Sequence, residues 1–189
     1  MSESAEPRRR LAAVVIPIFA DPPHDVVFVE RARHLRRHAG QIAFPGGALD
    51  DVDGGDHARA ALRELHEEIG IPPDAVTIVG RLEPLVQTRN VFTVTPFVAV
   101  VDPVVPLVVD LNEASAAHRV PLAAILAPGA IRSSTELFGE RRLETAVFDY
   151  GEMHVWGLTG NMLRNFCAAY HDDRDGLRTA LLARLRKRA

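Results

Sequence analysis

Apolar positions fall along the chain in two rhythms. Leu11–Phe19 and Asp25–Val29 are short runs dense in Val, Ile and Phe, parted by Asp21-Pro22-Pro23, and predict two strands joined by a turn. Gln41–Phe44 predicts a brief strand that ends at Pro45-Gly46-Gly47, and Asp50–Gly55 is an acidic, glycine-containing loop. From Asp56 to Ile69 the period becomes helical. Ala58, Leu62, Leu65 and Ile69 share one stripe, and Gly70 before Pro72-Pro73 is a stop. Strands are expected again at Ala75–Val79, Val91–Val101 and Pro106–Val109, then a short helix over Pro121–Leu126. A closing hairpin is expected at Leu143–Phe148 and Met153–Val155, followed by helices at Gly157–Tyr170 and Asp175–Arg186. Strands predominate and βαβ alternation is sparse, which predicts an α/β chain on a mixed or largely antiparallel sheet. Residues 1–10 are polar and expected to be flexible. Residues 11–189 show no repeat or linker and read as one domain.

Arg8-Arg9-Arg10 before the apolar run Leu11–Ala20 superficially resembles a secretory leader. Pro17 interrupts the run and no small-x-small cleavage site follows, so a first strand is the better reading. No run approaches the roughly 20 apolar residues of a membrane span, and the expectation is a cytoplasmic protein without a membrane partner. Lys+Arg is 22 and Asp+Glu 25, a net charge of −3, which disfavours gripping nucleic acid by its backbone. One cysteine, Cys167, excludes an internal disulfide and a thiolate-cluster metal site, and its apolar surroundings predict a buried hydrophobe.

The chemistry concentrates on the predicted helix. Glu64, Glu67 and Glu68 fall at i, i+3 and i+4, away from the apolar stripe. Carboxylates this close repel one another, and a divalent cation reverses the sign of that interaction. Hard oxygen ligands suit Mg²⁺ or Mn²⁺, which also bridge to phosphate oxygens. A solvated acidic face is the alternative reading. The context favours the site: Arg63 can pair with Glu67 at i+4, Gly46-Gly47 lets backbone approach a ligand, and Asp50, Asp51 and Asp53 lie between.

These residues resemble the box of the Nudix hydrolases, G-x5-E-x7-R-E-U-x-E-E-x-G-U, with U aliphatic. Gly47, Arg63, Glu64, Leu65, Glu67, Glu68, Gly70 and Ile71 match. Asp53 stands at the first acidic position, and nine residues rather than seven separate it from Arg63. The preceding segment is similar to the signature of the family's coenzyme A pyrophosphatase branch, L-L-T-x-R-S-x-x-L-R-x-H-x-G-Q-V-x-F-P-G-G-x-x-D. Arg31, Leu35, Arg36, His38, Gly40, Gln41, Phe44, Pro45, Gly46, Gly47 and Asp50 agree. Val29 and Ala32 replace the Thr and Ser, and Ile42 replaces Val. Val155-Trp156-Gly157-Leu158-Thr159 is similar to that branch's W-G-M-T segment.

The resemblance implies an α/β/α sandwich with a mixed central sheet and metal-dependent hydrolysis of a pyrophosphate linkage. In coenzyme A or its derivatives this yields 3′,5′-ADP and 4′-phosphopantetheine or its acyl form. It implies Glu64 and Glu68 as principal metal ligands, Glu67 as ligand or base, and Arg63 orienting a glutamate. Glu113 and Asp53 are weaker candidates. Arg31 and Arg36, with Arg33 and Arg37 in the same cluster, supply cations for the substrate's phosphates, and Gln41, Gly46 and Gly47 are further substrate-contact candidates. His34 and His38, spaced i, i+4, lack a third metal ligand and read as hydrogen-bonding groups. A homodimer is a further expectation. The rival readings are the same chemistry on a nucleotide sugar or dinucleotide, and a non-catalytic binding module of the same fold.

Overall fold

The computed structural model describes residues 10–35, 38–87, 92–138 and 141–187. Two strands form the spine of the main sheet. β1 (Arg10–Phe19) runs parallel to β7 (Phe92–Val101), in register from Arg10 opposite Phe92 to Phe19 opposite Val101. β2 (Asp25–Arg31) and β3 (Ile42–Ala43) continue the sheet on one side, and β5 (Val76–Arg81) on the other, all antiparallel to their neighbours. Three short or peripheral strands join this path: β4 (Gly46–Ala48) on β1, β6 (Leu85–Gln87) on β7 and β8 (Ala114–Pro121) on β2. The sheet is therefore mixed, as the sequence predicts.

Helices cover both faces, which explains why the central strands are apolar almost throughout. Strand alternation sorts the core. Ala13, Val15 and Phe19 of β1, with Phe97, Ala99 and Val101 of β7, pack beneath α1 (His57–Ile69). Ala12, Ile16 and Ile18, with Val94, Val98 and Val100, face Met162, Leu163 and Phe166 of α3 (Gly157–His171). Leu177, Leu181 and Leu185 of α4 (Leu177–Arg186) join that second core, as do Leu122 and Ile125 of α2 (Leu122–Ile125). A second sheet is antiparallel throughout, in the order β11 (Met153–Val155), β10 (Arg141–Tyr150), β9 (Arg132–Phe138). No described helix is long and apolar enough to cross a membrane.

One predicted strand is absent. Residues 106–109 lie in an irregular stretch between β7 and β8. Pro103 and Pro106 offer no N–H to a ladder. Val108 N donates instead to Ile69 O and Asp110 N to Glu68 O, both at 2.9 Å. Val105, Leu107 and Val109 still pack on the α1-side core, so the apolar alternation was a true burial signal on a segment bonded to a helix end. The strands β4, β6, β8 and β9 lie outside the segments where the sequence predicts strands, and Gly46-Gly47, expected as a turn, pairs with β1 instead. Cys167 is partly buried against the α3-side core, and burial pushes its thiol up to about 11.

Candidate active site

Helix α1 is fixed at both ends. The Asp56 side chain accepts from Ala58 N and Arg59 N, and Gly70 closes the helix in the left-handed region at φ 74°. Ala60, Ala61, Leu65 and Ile69 are buried against the sheet, while Ala58 and Leu62 of the predicted stripe are only partly buried. The stripe is thus rotated toward Glu68, which is 3% exposed and lies inside the boundary rather than on an outer face.

Two glycines bring β4 against the helix. A Cβ at Gly46, where φ is 153°, would lie 2.4 Å from Ala13 O, and one at Gly47 would lie 2.4 Å from the Glu64 carboxyl carbon. Any larger residue at Gly47 would displace that carboxylate. Gly46 N donates to Glu68 Oε2 at 3.2 Å.

Arg63 organises the outer rim. Its Nε and Nη2 donate to the two oxygens of Asp53, at 3.1 and 3.0 Å, and Nη2 also donates to Ala48 O at 3.2 Å. Nη1 donates to Glu64 Oε1 and Glu67 Oε2, both at 2.8 Å. The predicted pairing with Glu67 is present, and it is one of three carboxylate contacts made by the same guanidinium. Asp53 is 2% exposed and its second oxygen also accepts from Asp50 N at 2.8 Å. The Arg63 hydrogen bonds hold the Asp53 carboxyl below the usual carboxylate range against the opposing effect of burial. Asp53 therefore anchors Arg63, which fills both of its oxygens, and stands outside the group of carboxylates that could hold a cation.

That group comprises Glu64, Glu68 and Glu113, each of which offers one carboxylate oxygen within 4.8 Å of the other two. The helix supplies two and the turn before β8 the third, so the weaker candidate Glu113 enters the cluster. Glu67 is half-exposed and bonded to Arg63, and is not among the three. Burial raises the Glu68 carboxyl to about 8; the Gly46 N–H and the charge of Arg31 oppose this, and Glu64 and Glu113 add to it. Glu64 is also raised, chiefly by burial, with Arg63 opposing. An all-oxygen, like-charged set centred on the buried Glu68 is the donor chemistry that a hard divalent cation satisfies.

Of the arginine cluster, Arg31 is near enough for its charge to act on Glu68, and its Nε is buried without a hydrogen-bond partner. Arg33 points to solvent, 3.6 Å from Glu30. Arg36 and Arg37 lie outside the described residues. Gln41 O accepts from Arg31 N at 3.0 Å, and Gln41 Oε1 lies 2.8 Å from His38 Nδ1. His34 Nε2 lies 3.1 Å from Asn112 O. Both histidines are thus hydrogen-bonding groups, as the sequence suggests.

The chain matches the NUDIX domain over residues 8–138. The uncharacterized Nudix hydrolases NudL of Salmonella paratyphi B and Salmonella newport are each 41% identical over 156 residues, covering 82% of this chain and 80% of theirs. The chain belongs to the Nudix family. As a Nudix hydrolase it is a pyrophosphohydrolase, and enzymes of this family use divalent metals. The fold agrees. A MutT/nudix family protein from Enterococcus faecalis superposes with a TM-score of 0.56 at 13% identity, covering 93% of this chain and 66% of that one. The Nudix hydrolase RenU of M. smegmatis gives 0.51 at 22%, covering 61% and 73%. The departures from the Nudix box fall outside the carboxylate cluster. Despite the longer loop and the shorter acid, Asp53 still reaches Arg63 with both oxygens.

Proposed function

We propose that the chain hydrolyses the pyrophosphate linkage of coenzyme A or its derivatives, releasing 3′,5′-ADP and 4′-phosphopantetheine or its acyl form. The observation that carries this reading is Arg31: a guanidinium with a buried, unpartnered Nε beside the carboxylate cluster fits a second anionic group on the substrate. The upstream signature that contains Arg31 supports the same substrate. Glu64, Glu68 and Glu113 would hold Mg²⁺ or Mn²⁺, which would supply charge neutralisation at the phosphates and a more acidic water. Arg63 holds Glu64 and Glu67 by hydrogen bonds, and Asp53 keeps Arg63 in place. Water adds to one phosphorus, the bridging P–O bond breaks, and the attacking water's proton passes to a carboxylate. Gly47 leaves the space that the Glu64 carboxylate occupies.

Glu67 has one oxygen on Arg63, and its second is available to the cation or to the attacking water. Glu67→Gln separates the two roles. Loss of Mn²⁺ binding assigns a ligand, and loss of turnover with intact binding assigns the base.

The test of the substrate is incubation with Mg²⁺ and coenzyme A, dephospho-coenzyme A, a nucleotide sugar and a dinucleotide, with products identified by mass. Coenzyme A should be cleaved at its pyrophosphate. Arg31→Ala should lower coenzyme A hydrolysis by roughly 10–150-fold, the value of a lost charge-assisted hydrogen bond, and dephospho-coenzyme A hydrolysis by less. Equal losses on both would remove the 3′-phosphate from the reading of Arg31. Preferential cleavage of the nucleotide sugar or dinucleotide would replace the substrate.

A further inference from the structure

We infer that His34 is a positioning residue for Glu113, holding the third carboxylate of the cluster in place through the Asn112 carbonyl. This rests on the cation-binding reading of Glu64, Glu68 and Glu113 proposed above. Glu113 needs such support. Its side chain is exposed, and it sits in the turn before β8 rather than on a helix or within a strand.

Two sides hold that turn. From α1, the Glu68 carbonyl accepts from Asp110 N at 2.9 Å. Asp110 closes the turn upon itself: Oδ1 accepts from Asn112 N at 2.9 Å and from Asn112 Nδ2 at 2.8 Å, and Asp110 O accepts from Glu113 N at 3.0 Å. From the arginine side, Ala32 N donates to Glu113 O at 2.9 Å, and His34 Nε2 lies 3.1 Å from Asn112 O. A carbonyl only accepts, so Nε2 carries the proton in this contact. Residues 32–35 form their own tight turn, with Leu35 N donating to Ala32 O at 3.2 Å. The segment that begins with the phosphate-binding candidate Arg31 is thereby clamped to the segment that carries Glu113.

Among the described residues His34 is the one side chain on the arginine side of this clamp, and position 34 is a variable position of the upstream signature. Without it the Ala32 N–H remains, but Asn112 is released on that side. Glu113 then samples positions away from Glu64 and Glu68, and gathering the three carboxylates around a cation costs the entropy of restraining it.

The experiment measures Mn²⁺ binding to the full chain by calorimetry for the wild type, His34→Ala, Glu113→Gln and the double variant. His34→Ala should raise the Mn²⁺ Kd by about 3–10-fold, in line with one hydrogen bond to an outer partner of a metal ligand. In the Glu113→Gln background the same change should add nothing, because its effect passes through Glu113. His34→Gln restores a donor of similar reach and should recover most of the affinity, whereas His34→Leu should not. Melting curves of the metal-free variants establish that each is folded, and His34→Gln and His34→Leu carry the test should the alanine variant fail to fold. Unchanged affinity in both His34→Ala and His34→Leu, or losses that add fully in the double variant, would overturn the inference. Mn²⁺ binding unaffected by Glu113→Gln would instead overturn the three-carboxylate reading. Glu113→Gln weakening the cation while His34→Ala and His34→Leu do not would leave that reading standing and remove only the role of His34.

Discussion

On the β9–β11 sheet, Asp149 meets Arg132 and accepts a 2.6 Å hydrogen bond from His154 Nδ1, while His154 Nε2 lies 3.7 Å from Glu136. The His154 hydrogen bond is the chief reason the Asp149 carboxyl sits below its ordinary range. At α1 the same kinds of side chain are arranged to the opposite end. Arg63 is spent on the rim, on Asp53, Glu64 and Glu67, and leaves Glu68 facing Glu64 and Glu113 with its carboxyl raised to about 8. In the first cluster Asp149 has Arg132 as its counter-charge and the group lies at the surface. The second is centred on Glu68, buried and facing two like charges, which is the condition under which a cation gains the most by binding. The number of acidic residues does not distinguish the two; the placement of their counter-charges does.

The largest expected effect breaks the comparison directly. Glu68→Gln keeps the shape and removes the ligand charge, and steady-state assays should show turnover reduced by roughly 10²–10⁴-fold, the range for loss of such a group. Asp149→Asn removes an equal charge from the surface network around Arg132 and should leave turnover within about twofold, as for a surface substitution away from the site. Equal effects of the two would mean that both clusters are structural.

The two regions also differ in what their apolar positions do. Leu65 is fully buried beneath the carboxylates, and Leu137 on β9 is 69% exposed. Leu65→Ala should destabilise the protein by about 2–5 kcal/mol in denaturant unfolding, through lost burial and a residual cavity. Leu137→Ala should change stability by no more than about 0.5 kcal/mol. A neutral Leu65→Ala would mean that α1 packs on the sheet by another face.

The same contrast explains what could be read from the sequence. Both helix caps of α1, the spine strands β1 and β7 and the closing hairpin carry their signals locally, in Asp56, Gly70, runs of Val and Ile, and the Tyr150–Met153 turn. The strand β9, Arg-Ser-Ser-Thr-Glu-Leu-Phe, does not, because most of its side chains are exposed and its pairing with β10 comes from tertiary context. At the site, spacing identified Glu64, Glu67 and Glu68, since i, i+3, i+4 is a property of the helix alone. It could not reveal that Glu68 is buried while Glu67 is half-exposed, for that depends on how β4 and the 102–113 segment pack on α1. Glu113 is 45 residues from Glu68 in the chain and comes near it where the irregular stretch after β7 bonds, through Val108 N and Asp110 N, to the last carbonyls of α1. Asp53 kept its place in the Nudix box despite the longer loop, but its engagement of Arg63 with both oxygens needed the fold.

A smaller effect tests the rim. Asp53→Ala removes the two-oxygen anchor of Arg63 and leaves a partly buried guanidinium with fewer partners. Stability should fall by about 1.5–3 kcal/mol, the scale of hydrogen bonds to charged groups. Turnover should fall as well, because Arg63 no longer holds Glu64 and Glu67 in fixed directions. Mn²⁺ affinity measured alongside separates the two consequences. A loss of stability with turnover and affinity unchanged would reduce Asp53 to a scaffold residue with no bearing on the site.

The smallest effect is the pH dependence of metal-free stability, where the two clusters should differ in sign. Glu68 has an ordinary value of 4.5 and a folded value of about 8. Between those values the folded state keeps a proton that the unfolded chain gives up. The resulting stabilisation is fully present below about pH 4.5 and is lost as pH rises through about 8. Asp149 is shifted the other way: its contribution is present above its ordinary value of 3.8 and is lost as pH falls through its lower folded value, so it is flat from pH 5 to 9. With chelator present, the melting temperature of the wild type should therefore fall from pH 5 to 9 relative to Glu68→Gln, whose neutral amide carries no proton to lose. The subtraction removes the histidines, which titrate in both proteins. Adding Mg²⁺ should reverse the trend, because a cation that binds only the folded, deprotonated site gains affinity as Glu68 loses its proton and stabilises the fold more at high pH. Parallel melting temperatures for the two proteins across this range, with and without Mg²⁺, would show that the charges at α1 are as fully satisfied as those on the hairpin, and the contrast between the two regions would disappear.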